Sequence, residues 1–160
     1  MSQNEISYNP STGRNYNSPD NINRKGIVLD SSIKATNRLT IGGGGKFQRS
    51  FYAGGPYANN SVGLAPELLL NARASYLIDQ NWSLGGVVNY VGNQHYDSSP
   101  SVAGSLAVMP AYTFGDVYLN YIEKSFDLKL MVKNVGNANY ASYGGYGFVT
   151  NANGSGANSY

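Results

Sequence analysis

Trp82-Ser-Leu-Gly-Gly-Val-Val-Asn-Tyr90 alternates with the period of a β-strand. Trp82, Leu84, Gly86, Val88 and Tyr90 fall on one face, and Ser83, Gly85, Val87 and Asn89 on the other. An aromatic at each end of an apolar face, with small and polar residues opposite, is how a strand crosses a bilayer between lipid and a wet lumen. Eight steps of ~3.3 Å give roughly 26 Å along the strand, and a tilt near 40° lowers this to about 20 Å of height. That is close to the apolar band of a membrane barrel.

Composition agrees with strands and loops. A chain of 160 residues is long enough to build a soluble core, but only 12% of its residues are charged against a norm of about 25%. Gly reaches 20 and Tyr 14. The net charge is +2 with Lys and Arg dispersed, which excludes the basic stripe of a nucleic-acid binder. No apolar run approaches the ~18 residues of a membrane helix, and mean hydropathy is -0.33. A barrel escapes that test because only every second residue of each strand is apolar. Met1-Ser-Gln-Asn-Glu-Ile6 has neither a basic nor an apolar region, so no secretory signal is read there. The absence of Cys removes disulfides and thiolate metal sites.

Seven strands are predicted, at Glu5 to Tyr8, Arg24 to Lys34, Leu39 to Arg49, Glu67 to Leu77, Trp82 to Val91, Tyr112 to Tyr121 and Phe126 to Val135. Their connections alternate in length. Ala35 to Arg38, Ile78 to Asn81 and Ile122 to Ser125 read as tight hairpins, whereas Asn9 to Asn23, Ser50 to Pro66, Gly92 to Ala111 and the tail from Gly136 are long. Antiparallel pairing then puts every tight turn at one rim and every loop at the other.

Phasing each strand by its apolar residues places Asp30, Lys46, Arg73, Asp116 and Lys129 on the opposite, lumen-facing side. A Lys or Arg facing lipid at mid-depth would cost roughly 2 to 4 kcal/mol. Tyr76, Trp82, Tyr121 and Phe126 flank the tight turns, and Phe47 and Tyr90 lie near the loop rim, as two aromatic girdles would. The sixth strand strains this phase: Thr113 and Gly115 point outward and Tyr112 and Phe114 inward, unless a bulge intervenes.

No chemistry-bearing motif survives inspection. Gly42-Gly43-Gly44-Gly45-Lys46 lacks the Ser or Thr that follows a phosphate-loop Lys, and it lies inside a strand. Glycines in a barrel wall instead permit bending or the close approach of a neighbour. His95 is the only histidine and has no recurring metal-ligand spacing around it. There is no nucleophile elbow and no paired carboxylate, so neither catalytic residues, nor cofactor, nor metal, nor enzyme is expected.

Met109-Pro-Ala-Tyr-Thr-Phe-Gly-Asp116, followed by Phe126-Asp-Leu-Lys-Leu-Met-Val-Lys-Asn-Val-Gly-Asn-Ala-Asn-Tyr140, resembles the late barrel strands of TonB-dependent outer-membrane receptors. That family often shows a Pro-x-Tyr-x-x-x-Asp strand opening and a later Asn-Leu-Phe-Asp-x-x-Tyr pattern. Asn134 and Tyr140 match, while Val135, Gly136 and Asn137 replace Leu, Phe and Asp. Asn4-Glu-Ile-Ser-Tyr-Asn-Pro-Ser-Thr-Gly13 and Arg24-Lys-Gly-Ile-Val-Leu-Asp30 are similar to a loop and an Arg-x-Gly-Val-Glu-Leu-Glu strand of the family, with Val28 in place of the first Glu.

The resemblance implies an all-β, antiparallel transmembrane barrel portion of about seven strands, cut from a barrel of about 22. It spans residues 1–160 without plug, signal peptide or last strand. It further implies the outer membrane of a Gram-negative bacterium, uptake of ferric siderophores or similar scarce nutrients, contact with outer-membrane lipid, and a TonB complex reached through the absent plug. Arg49, Tyr52, Tyr57, His95 and Tyr96 are then the candidate ligand contacts in the outer loops. Such a portion should be a curved open sheet with its first and last strands unpaired. Two alternatives remain open: a small closed barrel of porin or adhesin type, and a soluble β-sandwich that binds carbohydrate.

Overall fold

A computed structural model describes residues 6–9, 12–17, 21–54, 58–95, 108–142, 147–150 and 156–159. All regular structure in them is β: β1 (Ile6–Asn9), β2 (Arg14–Asn17), β3 (Ile22–Lys34), β4 (Leu39–Tyr52), β5 (Leu68–Leu77), β6 (Trp82–Val91), β7 (Gln94–His95), β8 (Val108–Met109), β9 (Tyr112–Ile122), β10 (Asp127–Val132), β11 (Gly147–Thr150) and β12 (Gly156–Ser159). One antiparallel sheet carries six of these in the order β10-β9-β6-β5-β4-β3, and the rest pair as the ribbons β1-β2, β7-β8 and β11-β12.

The tight turns form because short polar side chains supply local acceptors. Thr36 Oγ1 accepts from the N–H groups of Arg38 and Leu39, at 3.1 and 2.9 Å. Asp79 Oδ1 accepts from those of Asn81 and Trp82, at 2.8 and 2.7 Å. The three turns stand side by side: the Leu77 N–H donates to the Arg38 carbonyl at 2.8 Å, and Asn81 Nδ2 to the Ile122 carbonyl at 2.7 Å. They therefore share a rim, as the alternation of link lengths requires.

Register fixes the faces. Ile33 pairs with Ile41, Ile41 with Ala74, Ala74 with Gly86, Gly86 with Val117 and Val117 with Val132. Directly opposed residues share a face, so one apolar face runs unbroken across six strands. It is not covered. Leu29 is 72% exposed and Leu130 65%, while the buried apolar residues among those described are Ile22, Tyr52 and Met109. An apolar sheet face normally buries itself against a second layer, and a sandwich would supply one. Among the described residues there is none.

Several details depart from the sequence reading. Glu5 to Tyr8 is expected in the wall, but Ile6–Asn9 folds back onto Arg14–Asn17, from Ile6↔Asn17 to Asn9↔Arg14, so it pairs locally and not with the main sheet. Gly13, just before the returning strand, has φ 65°, a conformation that costs glycine little. The main sheet accordingly has six strands rather than seven. The tail and the long link after Val91 contain the ribbons β11-β12 and β7-β8, where loops are expected. β10 ends at Val132 instead of Val135 because Asn134 adopts φ 49°, a left-handed conformation that Asn tolerates and a ladder does not. No bulge relieves β9: its pairing with β6 runs from Trp82↔Tyr121 to Val91↔Tyr112 without a slip. Tyr112 and Phe114 do share the polar face. Among the described residues β3 and β10 each pair on one side only, as expected of an open sheet.

Candidate functional site

The face opposite the apolar one carries Asp30, Lys46, Arg73, Asp116 and Lys129, each out of phase with the exposed apolar residues of its strand. Two of them join across β4. Arg73 donates from Nη2 to Asp30 Oδ1 at 2.6 Å and from Nη1 to Asp30 Oδ2 at 2.8 Å, the forked geometry in which guanidinium and carboxylate match. Nη1 also reaches Asn71 Oδ1 at 3.1 Å.

This pair explains the glycine run. Gly44 lies between Asp30 and Asn71, and Gly42 between Ser32 and Arg73. A Cβ on Gly44 would stand 2.6 Å from Asp30 Oδ2 and 2.7 Å from the Leu29 carbonyl oxygen, and one on Gly42 3.0 Å from Arg73 Nε. The ion pair thus lies over a strip of bare backbone. Close approach of neighbours, rather than phosphate binding, accounts for the sequence. At Gly85 a Cβ would collide with the Tyr118 ring, which occupies the space above the glycine and has Lys129 Nζ 4.5 Å from its centroid.

Further along the same face, the residues that carry the family resemblance meet. Asp116 Oδ1 accepts from the Asn134 N–H at 2.8 Å. The Asn134 amide closes the following turn, donating to the Ala138 carbonyl at 3.0 Å and accepting from the Ala138 N–H at 2.9 Å. That turn delivers Tyr140 onto Tyr112, with centroids 4.3 Å apart and planes 4° from parallel, and beside Phe114 at 5.4 Å. The inward aromatics of β9 are covered by this stack, which is why no bulge is needed.

The candidate ligand contacts separate. Tyr52 is buried opposite Ile22 on the polar face, while Arg49 stands on the apolar face opposite Lys25, its Cζ 5.5 Å from the Phe51 centroid. His95 is half-buried in β7, and its carbonyl accepts from the Leu64 N–H at 2.6 Å. Tyr57 and Tyr96 lie outside the described residues. The strand of chain at Val62 and Leu64 is pinned between two points, since the Val62 N–H donates to the Ser50 carbonyl at 3.0 Å. Ser50 Oγ and His95 Nδ1, on either side of it, are buried without a hydrogen-bond partner among the described residues. Sequence reading missed Ser50, for which nothing in the pattern speaks, and Lys25, which the phase of Ile27 would have placed. No cluster that could hold a metal occurs among the described residues.

At the opposite rim, the N–H groups of Trp82 and then Asn81, with a smaller effect of Arg38, hold the Asp79 carboxyl below the usual carboxylate range. Tyr121 and Trp82 pack at 4.7 Å, and Phe126 sits 5.7 Å from Tyr121. Trp82, Tyr121 and Phe126, three of the aromatics expected beside the tight turns, thus form one cluster.

An open antiparallel sheet with an uncovered apolar face, a polar face bearing the charges and tight turns along one rim is a portion of barrel wall. Solved structures share this fold. The ferric yersiniabactin uptake receptor FyuA of Yersinia pestis superposes with a TM-score of 0.63 at 18% identity, covering 78% of this chain and 20% of that one. The ferric-catecholate import receptor Fiu of E. coli K12 does so at 0.61 and 22% identity in its closed form, over 88% of this chain and 20% of that one. Its open form gives 0.56 at 20%, over 76% and 17%. This chain spans about a fifth of the length of these receptors. No protein-family model and no curated protein matches the sequence.

Proposed function

We propose that the chain forms part of the barrel of a TonB-dependent receptor in the outer membrane of a Gram-negative bacterium. In that setting it contributes wall and outer loops to the uptake of a ferric siderophore or a similarly scarce nutrient. The observation that carries the reading is the inverted burial: six strands present one continuous, uncovered apolar face whose only charges, Lys25 and Arg49, stand at its loop end, while the mid-strand charges lie on the opposite face. Only lipid rewards that arrangement over such an area, since soluble monomers rarely expose apolar patches beyond a few hundred Å². The likeness to FyuA and Fiu supports the uptake of iron chelates, and TonB would be reached through a plug segment.

Tyr52 and His95, with Tyr57 and Tyr96 from the neighbouring loops, are the proposed ligand contacts, and Asp30, Lys46, Arg73, Asp116 and Lys129 face the lumen. Deleting the reading frame that carries this sequence should abolish uptake of at least one radiolabelled ferric chelate, and the protein should fractionate with outer membranes. Unchanged uptake across a chelate panel, together with recovery in the soluble fraction, would overturn the proposal.

A further inference from the structure

Two cations stand on the otherwise uncharged apolar face. Lys25 is two residues beyond Ile27 on β3 and Arg49 two beyond Phe47 on β4, so both keep the outward phase, and the register sets them directly opposite each other. Both are exposed. Like charges at such a position repel unless an anion lies between them. None of the described carboxylates is there: Asp30, Asp116 and Asp127 belong to the other face, Glu67 is one residue out of phase with outward Leu68, and Asp79 and Glu123 sit in turns at the far rim. Phe51, the next outward residue of β4, holds the Arg49 guanidinium at the surface.

Height identifies the anion. From Leu39 at the turn rim to Arg49 is ten steps of ~3.3 Å, or roughly 33 Å of strand, which a tilt near 40° reduces to about 25 Å. That equals the apolar band of an outer-membrane barrel. The two cations therefore stand where the apolar layer ends and headgroups begin. A guanidinium offers a phosphate two parallel N–H donors and an ammonium adds a point charge. Below them Ile27, Leu29 and Phe47 are exposed.

We propose that Lys25 and Arg49 bind the phosphate of an outer-leaflet lipid headgroup, whose acyl chains lie along Ile27, Leu29 and Phe47. The inference rests on the barrel reading given above. Its test uses the protein expressed from its native reading frame and inserted into phosphatidylcholine nanodiscs, with and without phosphatidic acid, and native mass spectrometry counts the lipids retained. The wild type should retain phosphatidic acid in preference. Each cation near a charged surface is worth about fivefold, so K25Q/R49Q should lower that preference roughly 30-fold. K25R/R49K should keep most of it, and K46Q, on the other face, all of it.

A preference that survives K25Q/R49Q, or falls equally with K46Q, would overturn the site. So would its absence in the wild type, or displacement of the lipid by inorganic phosphate at equal concentration. Failure of the protein to enter any bilayer would instead overturn the barrel reading, and the gel mobility of unheated samples reports that separately for every variant.

Discussion

Val87 and Val88 are adjacent residues on opposite faces of β6, and arginine at each should separate a membrane wall from a soluble sheet. Val88 pairs with Ala72 and Gly115 on the apolar face and is exposed. It lies six steps from Trp82, about 20 Å of strand and roughly 15 Å of height once tilted, near mid-depth. There V88R should cost about 2 to 4 kcal/mol, a roughly 30- to 1000-fold loss in the folding equilibrium. Val87 pairs with Arg73 on one side and Asp116 on the other, so V87R meets one like and one opposite charge. Their effects offset, and the cost should stay within about 0.5 kcal/mol. On a soluble sheet the order disappears, because exposed Val to Arg is then a surface substitution of similarly small effect. Urea titration of the protein in phosphatidylcholine vesicles, with folded fraction read from unheated gel mobility, measures both. Equal stability of V88R and V87R would refute the lipid-facing assignment.

Three further outcomes follow from the site geometry. G44A should destabilise by about 1 to 3 kcal/mol because its Cβ meets both the Asp30 carboxylate and the Leu29 carbonyl; G54A, with open space around it, should be neutral or slightly stabilising by about 0.4 to 1 kcal/mol, in the same urea titration. Y140A should cost about 1 to 2 kcal/mol through loss of stacking on Tyr112 and Phe114, while Y140F should match the wild type, since the rings and not the hydroxyl make the contact. The Asp79 carboxyl titrates in the folded protein below the ordinary unfolded value, which is about 3.9; its contribution is present above that value and lost as pH falls through the lower folded one. Stability of the wild type should therefore decline on acidification below about pH 4 by a step that D79A lacks, and equal acid profiles would count against the turn's role.

Alternation made the outer face readable from sequence because a one-residue error would have inverted every side chain of a strand. The apolar sets of six predicted strands accordingly share one face of the sheet. Chain segments whose pairing is local were not readable in this way. Ile6–Asn9 alternates well enough for a wall strand, yet its partner lies a few residues away. The glycine run needed the third dimension: Asp30 and Arg73 are 43 residues apart, and only the register of β3, β4 and β5 shows that they meet over Gly42 and Gly44. The same holds for Arg49. As the last residue of its predicted strand, next to an outer loop, it looks like a ligand contact, but in the ladder it lies on the face opposite that of Tyr52 and beside Lys25.

The edges of the sheet constrain what the six strands can be. β3 and β10 each leave one row of backbone donors and acceptors without a ladder partner among the described residues. In hydrocarbon each unsatisfied group costs several kcal/mol, so a spanning sheet has no free edge. Closing the six strands on themselves does not resolve this, because the smallest membrane barrels have about eight strands and the sheet makes no β3-β10 pairing. If the outward face meets lipid, as V88R tests, both edges must pair with further strands. Its Asp30–Arg73 bridge and Tyr118–Lys129 contact then face an enclosed lumen, where the bridge is shielded from bulk water and its forked geometry helps set how the wall meets whatever fills the barrel.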